Sequence, residues 1–145
     1  MKISKGHLQL LLTVLGQTVP NFVEARLRDR VIKSLSEDFT TYDEDRVKIC
    51  KALCDKDEKG EPKLENGSFQ FKENPENLKQ FNEELAVLQN EEVKLQLEGN
   101  EKQKLTKLIE STKYSPKMGE VELIDTILGI NDSIPTPEEF MPKND

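Results

Sequence analysis

The sequence contains few of the residues from which chemical sites are built. Its 145 residues include one histidine, two cysteines and no tryptophan. A structural zinc site needs four clustered donors, commonly Cys and His, and the pair Cys50 and Cys54 is followed by no second pair. The sequence also has no glycine-rich phosphate loop, nucleophile elbow or HExxH motif. We therefore predict no metal, no cofactor and no catalytic residue, with both cysteines reduced and packed as small hydrophobic groups.

Long apolar runs and an excess of positive charge are also missing. No stretch of about twenty apolar residues is present, so we predict no membrane span. The net charge of −7 argues against nucleic-acid binding, which needs Lys and Arg to displace counterions. The N-terminal segment MKISKGHLQLLLTVLGQTVP resembles a secretory signal, but Gln9 interrupts its apolar run and no small-x-small cleavage site follows. We expect a cytoplasmic protein.

Charged residues make up 34% of the chain, as do hydrophobic ones, so the apolar residues must be concentrated in amphipathic elements. With 28 acidic residues, close pairs such as Asp43 and Asp45 arise by chance and are weak evidence for acid–base catalysis. We predict a non-enzymatic, predominantly helical α+β domain over residues 1–130. It has five or six helices and a small antiparallel sheet of two or three strands. Residues 131–145 are predicted to be a flexible tail.

Residues 22–59 form the longest predicted helical region, because they contain neither Gly nor Pro. Apolar residues recur there at helical spacing. The stripe comprises Val23, Leu27, Val31, Leu35, Phe39 and Tyr42. Thr41 followed by Glu44 matches a capping box, so the region is either one long helix or a pair of helices. Further helices are predicted at residues 7–15, from 75, at 101–112 and at 118–130, and a third strand at 93–97.

The segment DKDEKGEPKLENGSFQF begins like a calcium-binding loop. Asp55 and Asp57 occupy the first and third positions and Gly60 the sixth. However, Lys59 stands at the fifth position, where an oxygen ligand is required, and Asn66 at the twelfth, where a bidentate Glu is required. The pair Asn66 and Gly67 between alternating residues is a strong hairpin signal. We therefore predict a hairpin and no calcium site.

Charge is ordered along the long helical region. A basic group, Arg26, Arg28, Arg30 and Lys33, precedes an acidic group, Asp43, Glu44 and Asp45. The simplest interpretation is a solvated face with local ion pairs. A second is a docking face for a partner protein. A third is antiparallel pairing of residues 22–56 from two copies of the chain. We predict that these seven residues bind a partner.

The order of these motifs resembles a family of small, uncharacterised proteins encoded by phages and prophages of Gram-positive bacteria. The resemblance covers most of residues 5–130 and is clearest in the KGEPK…NGSF hairpin and the EELxxLxxEEV passage. That family has no established function, so the resemblance transfers no functional residue. It implies a phage origin and action in the host cytoplasm. We predict a phage accessory protein that binds and inhibits or redirects a host protein, as an anti-defence or host-takeover factor. The alternative is a structural or assembly protein of the virion.

Overall fold

The computed structural model describes residues 1–129, which form five α-helices and two small antiparallel sheets. The helices are α1 (Leu8–Gly16), α2 (Phe22–Leu53), α3 (Pro75–Asn90), α4 (Glu101–Glu110) and α5 (Glu120–Ile127), with a 3-10 turn at Lys5–His7. The strands are β1 (Lys2–Ser4), β2 (Leu64–Glu65), β3 (Ser68–Phe69) and β4 (Glu92–Lys94). This confirms the predominantly helical α+β class. The predicted tail, residues 131–145, lies outside the described residues.

The long helical region is one helix rather than two. The Thr41 hydroxyl donates to the Glu37 carbonyl at 3.3 Å, so this polar side chain is satisfied inside the helix and does not cap a new one. The observed capping box lies at the start of α2, where the Asn21 side chain accepts from the Glu24 N–H. With 32 residues, α2 is about 48 Å long.

The apolar stripe of α2 is covered by the chain's own helices. Leu27, Val31 and Leu35 are buried in the main core with residues of α1, α4 and α5, and α2 also packs against α3. Val23, predicted as the first member of the stripe, is instead 62% exposed. If two copies of the chain paired through α2, the contact would therefore be made mainly by the charged, outward-facing side of that helix. Self-association through residues 22–56 stays a prediction.

The third predicted strand is shorter than expected and lies in a different sheet. β4 ends at Lys94 and pairs with β1, placing Ile3 opposite Val93. Ile3 is 1% exposed and belongs to the main core, because this pairing lays the N-terminus against the helices. A strand at residues 2–4 was not predicted from the sequence.

The predicted hairpin is present after α2. β2 pairs with β3, and Asn66 and Gly67 both have positive φ, 53° and 80°, as a tight hairpin turn requires. Asp57 Oδ1 accepts from the backbone N–H groups of Lys59 and Glu61. Asp55, 2% exposed, accepts from the Glu73 N–H through Oδ2. Both carboxylates thus organise the loop backbone.

Candidate protein-binding surface

Large apolar side chains are exposed where the chain enters α2. Val19, Phe22 and Val23 are 56%, 76% and 62% exposed. Within residues 1–129, eight large hydrophobic residues are exposed. Three of the eight lie within the five-residue stretch 19–23. Single exposed apolar residues are ordinary, whereas a group of them marks an interaction surface. We call Val19, Phe22, Val23, Arg26 and Arg30 the α2 entry surface.

The backbone beneath this surface is held by specific hydrogen bonds. The Asn21 N–H donates to Glu24 Oε1 at 3.0 Å, and Glu24 N–H donates to Asn21 Oδ1 at 2.8 Å. Just before the cap, the Val19 N–H donates to Ser111 Oγ at 3.0 Å. These bonds fix the first turn of α2, so its side chains are presented from an ordered backbone, which lowers the entropy cost of binding.

Phe22 and Arg26 form a stacked pair on this first turn. The Arg26 guanidinium carbon lies 4.9 Å from the centroid of the Phe22 ring, within the range of a cation–π contact. The two residues are four apart, the spacing that brings side chains together on a helix. Aromatic residues and arginine are the types enriched in protein interfaces and their hot spots.

A shallow cleft of about 240 Å³ runs between α2 and α4 beside this pair. It is lined by Val23, Arg26, Leu27, Arg30, Glu101 and Lys104. Arg30 Nη2 lies 2.9 Å from Glu101 Oε2, which ties the wall of α2 to that of α4. The lining of the cleft therefore combines two apolar side chains with three cationic groups and one carboxylate.

The Glu101 carboxyl should titrate below its ordinary pKa, because it accepts two hydrogen bonds. A hydrogen bond from Arg30 and another from the Glu98 N–H hold the pKa of Glu101 below its usual value. A carboxyl whose pKa is lowered by folding stabilises the fold above its unfolded pKa, and this contribution disappears as the pH falls through the folded pKa. We expect Arg30→Gln to raise the Glu101 pKa, measured by NMR titration of the side-chain carboxyl carbon. The matched Arg28→Gln substitution should leave the Glu101 pKa unchanged. Equal titration in both variants would contradict the assigned pair.

The predicted site residues occupy separate parts of α2. Arg26, Arg30 and Lys33 are exposed at helical spacing on one face. Arg28 is half-buried away from them and bonds its neighbour Asp29 at 3.0 Å.

The predicted acidic residues lie further along the helix. Asp43 accepts from Arg46 at 2.9 Å, Glu44 is exposed and Asp45 is half-buried. Arg30 and Asp43 are thirteen residues apart, about 20 Å along the axis. The basic and acidic groups therefore do not form one site.

Three residues of the α2 entry surface and the adjoining cleft, Phe22, Glu101 and Lys104, were not predicted from the sequence to belong to a binding site. Phe22 directly follows the Asn21 cap and lies off the buried stripe of α2, and this position was a usable signal of exposure. Glu101 and Lys104 come from α4 and approach Arg30 only through tertiary packing. No local pattern in the sequence indicates that pairing.

No protein-family model matches the chain, and neither do any curated protein sequences or solved structures. None of the helices in residues 1–129 is long and apolar enough to cross a membrane. In the same range, no group of three or more His, Cys, Asp or Glu side chains has an arrangement that could hold a metal ion.

Proposed function

We propose that the chain is a non-enzymatic phage accessory protein that binds a host protein through the α2 entry surface and thereby inhibits or redirects it. The observation that carries the proposal is the exposed Phe22 ring stacked under Arg26 on a capped, ordered helix turn. Fully burying a Phe side chain contributes about 1.5–3 kcal/mol, so a partner that covers Phe22 gains a large anchor.

The charge around this anchor favours an acidic partner surface. The chain as a whole is negative, yet Arg26, Arg30, Lys33 and Lys104 are all exposed here. A local basic surface on an acidic protein steers a complementary partner and sets its orientation. Arg is suited to this contact because its planar guanidinium can bind a carboxylate through two hydrogen bonds.

The biological setting in the proposal comes from the sequence. The resemblance to phage-encoded proteins supports a phage origin and action in the host cytoplasm. The sequence carries no recognised catalytic motif, which favours a stoichiometric mode of action in which the protein occupies a surface of its partner. An anti-defence or host-takeover factor, which inhibits or redirects a host protein by binding it, has both of these properties.

Affinity capture tests this proposal. The full-length chain is immobilised and exposed to bacterial host lysate, and retained proteins are identified by mass spectrometry. We expect one protein to be retained in stoichiometric amounts by the wild type and by Val87→Ser, and to be lost with Phe22→Ser. Val87, on α3, is a matched control because it is 68% exposed. Equal retention by both variants, or recovery of the chain in many copies from purified virions, would contradict the proposal.

A further inference from the structure

We infer that Asn66 is a site of spontaneous deamidation, and that its isoaspartate product breaks the pairing of β2 with β3. In this modification the side-chain amide nitrogen leaves as ammonia and water supplies the oxygen that replaces it. The inference goes beyond the proposed function and does not depend on it, because the hairpin follows the end of α2 whereas the α2 entry surface lies at its start.

The residue after Asn66 favours this reaction. Deamidation begins when the backbone nitrogen of the following residue attacks the side-chain carbonyl carbon of the asparagine. A side chain on the following residue obstructs that approach, and glycine has none. Asn66 and Gly67 form the only Asn-Gly pair among the nine asparagines of the sequence. Both residues are exposed, and a Cβ added to Gly67 would meet no atom within 4 Å beyond its chain neighbours.

The attacking nitrogen is also free of backbone bonding. Among residues 1–129, the Gly67 N–H donates to no backbone carbonyl in the turn or outside it. Asn66 itself has a φ of 53°, and within the same residues it is the only non-glycine with a positive φ. The attack requires the Asn66 backbone to rotate out of this left-handed conformation. The reaction therefore needs the hairpin to open, but it needs no backbone hydrogen bond of Gly67 to break.

The hairpin is short enough to open while the helices stay folded. β2 and β3 contribute two residues each, paired as Leu64 with Phe69 and Glu65 with Ser68. Only Phe69 of these four is half-buried, and the others are exposed. A two-stranded hairpin on its own is marginally stable, and segments with few buried contacts open locally at low cost in free energy.

Two other exposed asparagines serve as controls within the same chain. Asn82 lies in α3, and the residue after it, Glu83, has its backbone fixed by the helix. Asn100 precedes Glu101, whose N–H donates to a backbone carbonyl at 3.0 Å. In both places the following residue also carries a side chain. We therefore expect Asn66 to react before either of them.

Water is the only co-reactant in this chemistry. The Gly67 nitrogen loses its proton and bonds to Asn66 Cγ, while the C–N bond of the side-chain amide breaks and ammonia leaves. The product is a five-membered succinimide ring. Water then opens the ring at one of its two carbonyl carbons. Opening at Cγ gives aspartate, whereas opening at the main-chain carbonyl gives isoaspartate, in which the backbone runs through the former side chain.

The two products affect the hairpin differently. Asp-Gly is itself a favoured pair for the tight turn, so the aspartate product keeps the turn. Isoaspartate adds a methylene group to the main chain of a two-residue turn, whose length sets the register of the strands. We expect this product to lose the pairing of β2 with β3.

Peptide mapping of the full-length protein, aged at neutral pH and physiological temperature, tests the modification. Trypsin cuts after Lys63 and Lys72 and so isolates the turn in one short peptide. Mass spectrometry detects the exchange of nitrogen for oxygen, and electron-transfer fragmentation separates aspartate from isoaspartate. Fresh protein digested in the same way gives the background. We expect several-fold more conversion at Asn66 than at Asn82 or Asn100. An unchanged Asn66, or equal conversion at all three, would overturn the inference.

NMR of the separated forms tests the structural consequence. The nuclear Overhauser contact between the α-protons of Leu64 and Phe69 reports the strand pairing. We expect it to persist in Asn66→Asp, which carries the added charge on an ordinary backbone, and to be lost in the isoaspartate form. Persistence of the contact in the isoaspartate form would overturn the predicted loss of pairing, and loss in Asn66→Asp would assign the effect to charge instead. Neither result bears on capture of a partner through Phe22.

Discussion

Replacing Leu35 with Ala is expected to lower the free energy of unfolding by about 3–5 kcal/mol. Leu35 is 0% exposed near the middle of α2 and packs in the cluster shared with α1, α4 and α5. The substitution removes buried surface and leaves a cavity that neighbouring helices can close only partly. Since domains of this size are typically stable by about 5–15 kcal/mol, the loss is a large share of the total. Urea unfolding followed by circular dichroism measures it.

Val87→Ala is the control for this result, because Val87 is an exposed residue of α3. We expect it to change stability by less than about 0.5 kcal/mol. Similar losses in the two variants would show that α2 does not lie at the centre of the core. A change in the denaturant slope for Leu35→Ala would show that the folded or unfolded ensemble has changed as well.

Reversing charge at both Arg26 and Arg30 is expected to weaken partner binding by about 30- to 1,000-fold, or roughly 2–4 kcal/mol. Arg26→Glu removes the cation stacked on Phe22, and Arg30→Glu places a second carboxylate beside Glu101. Both changes also repel the acidic surface expected on the partner. Isothermal titration of the captured partner measures the change in Kd.

The matched variant is Lys48→Glu with Lys51→Glu, which makes the same change in net charge on an exposed part of the same helix. It should bind within about threefold of the wild type, because charges outside an interface act mainly through long-range, screened fields. Equal weakening in both variants would assign the effect to net charge. The melting temperature of the Lys48→Glu with Lys51→Glu variant should stay close to that of the wild type, since both lysines are exposed. Arg26→Glu with Arg30→Glu should melt slightly lower, because it replaces the Arg30–Glu101 ion pair by two carboxylates, a loss of about 0–1 kcal/mol for an exposed pair.

Local patterns in the sequence were enough to predict most elements of the fold. The hairpin at Asn66 and Gly67 followed from the need for positive φ at both positions, and helix spacing indicated the buried residues Leu27, Val31 and Leu35. The β1–β4 pair could not be predicted, because the paired residues Ile3 and Val93 are 90 positions apart in the sequence. The capping box at Thr41 was a false signal, since a Thr inside a helix can bond the carbonyl four residues earlier.

The candidate site was only partly visible in the sequence. Helical spacing alone brings Arg26, Arg30 and Lys33 to one face of α2, and it also separates Arg28 from them. The exposure of Val23, 62%, could not be predicted, because its spacing places it in line with the buried residues Leu27, Val31 and Leu35. The cleft depends on the approach of Glu101 to Arg30, a contact between residues 71 positions apart.

Hydrogen exchange of the complex with the captured partner tests the central claim most directly. The backbone N–H groups at the start of a helix have no partner within it, so the amides of Phe22 and Val23 are sensitive reporters. We predict that binding slows exchange in residues 17–30 and 98–107, with little change in the hairpin or in α3. Protection confined to α3 or the hairpin, with none at the start of α2, would contradict the account.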